Sequence, residues 1–177
     1  MGGGSDFWRF SLSFYGDQAV ADACLRLQDD AGADVNVLLF LMWRAADRRR
    51  LSEAEVAAMD EAVSGWRAEV VAPLRRVRRW LKHHPGPVAA EDAEALRREV
   101  KRIELEGERL QQEAMAARAE EFAGSAAASP VEAARASLAG YEAARGRALP
   151  QGPVKVLLDS LAARGDAASA AGGRGGE

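Results

Sequence analysis

Apolar residues recur at every third or fourth position along most of this chain, and nowhere do they alternate with polar ones long enough to specify a sheet. The pattern predicts an all-α protein. Phe7, Phe10 and Phe14 follow Ser5, a good N-cap, and predict a helix over 6–15 that Gly16 ends. A second helix opens at Asp17, carries Val20, Ala23, Cys24 and Leu27 on one face, and closes with Gly32 at C′. Asp34 stands where the next N-cap is expected. The following segment, 35–46, is apolar on every face through Leu38, Leu39, Phe40, Leu41, Met42 and Trp43. A helix of that kind has to be surrounded, so it is expected to be the central element.

"DRRR" at 47–50 returns the chain to the surface, and "LSEAE" supplies a capping box from Ser52 and Glu55 with Leu51 as a staple. From there Val56, Met59, Val63, Trp66, Val70, Leu74, Val77 and Leu81 step by three or four residues, one buried face across 52–82. Pro73 removes the hydrogen bond to the carbonyl of Glu69 and predicts a kink or break. "HHPGP", His83 to Pro87, reads as a turn. A long helix over 89–122 follows, with Leu96, Val100, Ile103, Gly107, Leu110 and Ala114 in a stripe close to heptad spacing. The two segments predict an antiparallel hairpin, 52–82 against 89–122.

Beyond it, "GSAAASP" reads as a linker, and Ser129, Pro130 and Glu132 start another helix that buries Ala134, Leu138 and Tyr141 up to about Arg145. Val154, Leu157, Leu158 and Leu161 mark a last amphipathic piece over 154–163. The expected organisation is a flexible start (1–5), a helical domain (6–123), loosely attached C-terminal helices (124–164) and a disordered tail (165–177), the tail because it is poor in apolar residues.

Composition narrows the function. The 177 residues suit one domain with a real core, and 48% hydrophobic with 29% charged residues is ordinary for a globular chain. A net charge of −3 supplies no global field for nucleic acid or anionic membrane. The longest apolar run, 37–43, is far below the ~20 residues of a membrane span. The start carries no signal-peptide pattern. A single cysteine, Cys24, set among apolar neighbours, reads as a core residue in a reducing, cytoplasmic setting.

Two clusters remain as candidate chemistry. Asp29, Asp30, Asp34 and Asn36 crowd a turn, and hard oxygen ligands there suit a divalent cation. Their spacing matches no calcium loop, however, and capping accounts for Asp34 without a ligand, while Asn36 suits a hydrogen bond inside the core. Asp29 and Asp30 oppose the dipole at the end of the second helix and ask for a partner. The second cluster, Arg75, Arg76, Arg78, Arg79 and Lys82 beside Trp80, suits RNA, yet the indole falls on the flank away from most of the arginines. Adjacent His83 and His84 lack the further ligands of a zinc set, no glycine-rich phosphate loop occurs, and no strand-to-helix serine elbow occurs. No catalytic residue, cofactor or metal is assigned.

The segments "FWRFSLSFY", "ACLRLQDDAGADVNVLLFLMW", "WRAEVVAPLRRVRRWLK" and, more loosely, "VKRIELEGERLQQ" resemble an uncharacterised proteobacterial family of short helical proteins known only as a domain of unknown function. The resemblance spans about 7–121. It implies a helical fold, a bacterial cytosolic setting and a variable C-terminal part, and it carries no catalytic residues.

The leading expectation is a non-enzymatic helical interaction or adaptor module with a protein partner or a homo-oligomeric state. Its motive is helical apolar surface, including Leu105 and Met115 off the 96–114 stripe, in excess of what one hairpin partner covers. The alternatives are RNA binding through the basic face at 75–82 and a small-molecule or metal-dependent enzyme around Asp29, Asp30 and Asp34.

Overall fold

The structure, a computed structural model, describes residues 4–83 and 86–172. Its helices are α1 (Asp6–Tyr15), α2 (Gln18–Ala31), α3 (Val35–Ala46), α4 (Glu53–Trp66), α5 (Ala72–His83), α6 (Ala90–Ala117), α7 (Pro130–Arg145) and α8 (Gln151–Gly172). The fold is all-α. Strands β1 (Arg49–Arg50) and β2 (Ser125–Ala126) add a minimal antiparallel ribbon, with Arg49 opposite Ala126, that ties the start of α4 to the segment after α6. Local chemistry sets the helix starts where the sequence predicted them. The side chains of Ser5, Asp17, Asp34, Ser52 and Ser129 each accept a backbone N–H of the first turn, and Ser52 with Glu55 forms the full capping box.

Helix α3 is the centre. Val37 to Met42 are all buried, and the helix contacts α1, α2, α6, α7 and α8. Phe7 of α1 meets Phe40 edge-on at 5.4 Å between centroids and stacks on Trp43 at 5.2 Å. Cys24 is fully buried among these residues.

The C-terminal helices differ from expectation. Ala133, Ala134, Leu138 and Tyr141 of α7 and Leu157, Leu158 and Leu161 of α8 belong to the same core as α3, so 124–164 is an integral part of the packing rather than a loose attachment. Helix α8 also continues through 165–172, which composition assigned to a disordered tail; residues 173–177 lie outside the described residues, as do 1–3 and His84 with Pro85.

The hairpin forms, with two corrections. Its first arm carries a π-helical turn, Arg67–Val71, whose wide loop closes through the Ala72 N–H to the Arg67 carbonyl. The interruption predicted from Pro73 therefore lies just ahead of the proline. One inserted residue rotates everything downstream by about 100°. Hence the continuous stripe expected over 52–82 breaks: Val71 takes the buried place and Val77, downstream, faces solvent, while Trp66, just ahead of the turn, is also about two-fifths exposed. The second arm ends at Ala117 rather than 122, and its inward face differs from the expected stripe. Ala93, Val100, Glu104, Gly107, Gln111, Gln112 and Met115 are buried; Leu96, Ile103, Leu110 and Ala114 are exposed. Met115, expected off the stripe, is a core residue, whereas Leu105 is indeed exposed.

Candidate functional site

The turn between α2 and α3 lies against the side of the hairpin, and a cleft of about 370 Å³ opens between them. Its lining includes Asp29, Asp34, Arg67, Arg75, Arg79 and Gln111. The two sequence-predicted clusters thus meet across one cleft, each supplying part of it.

Asp34 forms the floor, and both of its carboxylate oxygens accept hydrogen bonds. One carboxylate oxygen caps α3 through the Asn36 N–H at 2.8 Å. The other accepts Arg67 Nη1 at 2.8 Å and Gln111 Nε2 at 2.9 Å, while its own backbone N–H donates to the Tyr141 hydroxyl at 3.0 Å. Only 8% of the side chain is exposed. Arg67 also donates to Asp60 at 2.6 Å. Burial works against the charge of Arg67, but hydrogen bonding and attraction from Asp34 and then Asp60 outweigh it, so its pKa rises above the ordinary value.

Ion pairs hold the arginines that line the cleft. Asp29 accepts Arg79 Nη2 at 2.7 Å, the partner that its unfavourable place at the end of α2 called for. Both side chains are half exposed, so the pair is weak. The buried Glu104 receives Arg75 at 3.1 Å and also Arg78, and Arg75 continues to Glu108 at 2.5 Å. Burial pushes the Glu104 pKa up, and the two guanidiniums, Arg78 foremost, more than offset it, leaving the carboxyl below its ordinary range.

The remaining members of both clusters go elsewhere. Asn36 is buried and accepts Gln112 Nε2 at 2.8 Å, the core hydrogen bond expected of it. Asp30 offers its backbone carbonyl to Arg147. Arg76, Arg78 and Lys82 lie outside the cleft lining, Arg76 and Lys82 exposed and Arg78 paired with Glu104. Among the described residues no group of three His, Cys, Asp or Glu is placed to hold a metal ion.

Sequence reasoning missed Arg67, Glu104, Glu108 and Gln111. A signal for two of them was present. In an antiparallel hairpin, facing residues have nearly constant index sums, and Arg78 with Glu104 and Arg75 with Glu108 sum to 182 and 183. The run "RRVRR" was thus matched in register by "ELEGE" on the returning helix.

With its polar side turned to the cleft, the hairpin turns an apolar side outward. Leu96, Ile103 and Leu110 lie within about 40° of one another on α6. Gly107 sits in the same stripe, and there Val70 packs closely and Trp66 Nε1 donates to the Gly107 carbonyl at 2.9 Å. Trp66 and Val70 therefore share this edge, and Val77, two turns past Val70, extends it. Trp66, Val77, Trp80, Leu96, Ile103 and Leu110 are each 41–54% exposed.

Compared with known proteins, the chain matches one family model, described as "Protein of unknown function (DUF2390)", over residues 6–115. That span holds α1 to nearly the end of α6, hence both the cleft and the outward apolar edge. No curated protein and no solved structure matches it.

Proposed function

The chain belongs to the DUF2390 family of proteins of unknown function, and from the hairpin that lies within the matched span we propose that it is a helical protein-interaction module. Its docking surface is the outward edge of the hairpin, from Trp66 and Val77 to Leu96, Ile103 and Leu110. One observation carries the reading: α6 buries Glu104, Gln111 and Gln112 while three large aliphatic residues on its neighbouring flank face water. A fully exposed aliphatic side chain forgoes ~1.5–3 kcal/mol of burial and a half-exposed one about half of that, and contiguous apolar patches larger than a few hundred Å² mark interaction sites.

The ion pairing of Arg75, Arg78 and Arg79 bears on the alternatives. Three of the five basic residues already hold carboxylates, so an RNA phosphate has to displace Glu104, Glu108 or Asp29 to reach them. Asp34, the best-placed acid for an enzyme, likewise already accepts three protein donors.

Site-specific photocrosslinking tests the proposal. A photoreactive residue at position 96, 103 or 110 is expected to give one discrete adduct in cells, and the same residue at exposed position 26 is expected to give none. A chain that stays strictly monomeric and yields no adduct from any of the three positions refutes the reading.

A further inference from the structure

Each of the three aliphatic residues of the stripe on α6 is bracketed by acids one turn away on the same outer flank. Leu96 lies between Asp92 and Glu99, Ile103 between Glu99 and Glu106, and Leu110 between Glu106 and Glu113, at i−4 and i+3 in every case. The acids repeat every seven residues, so they form a row parallel to the apolar stripe rather than a scatter. Glu99 and Glu106 are more than half exposed, and the arginines that bond them, Arg102 and Arg109, come from one turn further along the same helix, on the side away from the stripe. Glu113 is held by the Ser5 N–H at 2.9 Å. On the stripe's other flank lies the hairpin's own first arm, so the charge that α6 itself sets beside a docking helix is the acidic row.

We infer that the occupant of this edge is an amphipathic helix from a different protein, with an apolar seam set against Leu96, Ile103 and Leu110 and a row of Lys or Arg running beside Asp92, Glu99 and Glu106. The inference rests on the docking reading above and specifies the partner's chemistry. In helix pairing the charges flanking an apolar seam choose the partner, opposite rows attracting and like rows excluding. A second copy docked α6 against α6 sets one acidic row against another, which disfavours self-association through this face. The stripe from Leu96 to Leu110 runs about 21 Å along the axis, the length of two heptads, so a helix of about three heptads covers it with a turn to spare at either end.

The test uses the full chain and two designed helical peptides of about 21 residues that share one Leu/Ile seam and differ only in flank, Lys in one and Glu in the other. The Lys-flanked peptide is expected to bind about tenfold more tightly at low salt, with the difference collapsing towards 1 M salt as the charges are screened. Glu99→Lys with Glu106→Lys, at exposed positions where folding is checked by circular dichroism, should reverse the preference. Equal binding of both peptides, at every salt concentration, overturns the charge assignment while leaving the docking edge in place. Binding of neither peptide overturns the inference, and taken with an absence of crosslinks it overturns the docking reading too. A dimer in sedimentation that Leu96→Gln, Ile103→Gln and Leu110→Gln together dissolve assigns the edge to a second copy and overturns the inference in favour of self-association.

Discussion

Asp34 joins the start of the central helix to the hairpin and to α7, and replacing it separates its roles. Asp34→Ala removes the α3 cap, worth ~1 kcal/mol. It also removes the acceptor of Arg67 and Gln111, hydrogen bonds involving a charge at ~1.5–3 kcal/mol each when well buried. Arg67 retains Asp60 and is 30% exposed, so its bond counts at the low end. The expected loss is about 3–4 kcal/mol in urea unfolding, read as a lower midpoint at unchanged slope. Asp34→Ser keeps a hydroxyl for the Asn36 N–H and forfeits the other oxygen, so it should recover about 1 kcal/mol of that loss. A double-mutant cycle of Asp34→Ser with Arg67→Met should return a coupling of about 1–2 kcal/mol. If Asp34→Ala loses no more than a cap, and the cycle returns nothing, the floor of the cleft is not held by this network and the reasoning fails.

Burial holds the Cys24 thiol up at about 12 from an ordinary 9, and chiefly burial raises Tyr141 to about 12 from 10. The folded protein therefore keeps both protons to higher pH than the unfolded chain, so stability is complete below about pH 9 and declines towards pH 12, by up to ~1.4 kcal/mol per pH unit for each group. Urea titrations between pH 8 and 11 should show this decline, and Cys24→Ala should flatten its lower part; an unchanged slope in that variant contradicts the assignment. Gly107 lies inside α6, and an added Cβ meets Val70 at an ordinary 3.5 Å, so Gly107→Ala should raise the melting temperature through a helix-propensity gain of up to ~1 kcal/mol. Gly124 has φ +64° and its added Cβ falls 2.6 Å from the Arg50 carbonyl oxygen, so Gly124→Ala should lose about 2 kcal/mol or more by the same thermal melt.

The capped helix starts and the central helix were legible because their causes are local. Asp17, Asp34, Ser52 and Ser129 cap from within a few residues, and Val37 to Met42 are too apolar on every face to lie anywhere but inside. The hairpin's facing was not legible, because it depends on an interaction between distant segments. The π turn at 67–71 rotates α5 so that Arg75 and Arg78 point at α6, and α6 answers with Glu104 and Glu108 rather than with Leu96 and Ile103. Periodicity alone favours the aliphatic stripe as the inward face, since it contains no term for a matched row of charges. The placement of α7 and α8 in the core was underestimated for another reason. Alanines such as Ala133 and Ala134 bury little area each, but their size admits close approach of helices, which composition does not weigh.

The rotation of α6 is the point on which the functional reading turns, and two substitutions measure it. A buried ion pair contributes little to stability relative to an apolar pair of the same volume, but removing one partner strands the others. Glu104→Ala leaves Arg78 without its hydrogen-bonded carboxylate and Arg75 with Glu108; since both arginines are about a quarter exposed, the expected loss is about 2–3 kcal/mol rather than the ~3–5 of a fully buried pair. Leu96→Gln, Ile103→Gln and Leu110→Gln, made together on the side facing water, should each change stability by no more than ~0.5 kcal/mol. An aliphatic stripe that served the monomer's own core would give the opposite order, with the triple variant unfolding first. Urea denaturation of the two variants at one pH decides between them. The expected order means that the Arg–Glu seam fixes how α6 is turned, and that the stripe it leaves outside is available to a partner without weakening the fold that presents it.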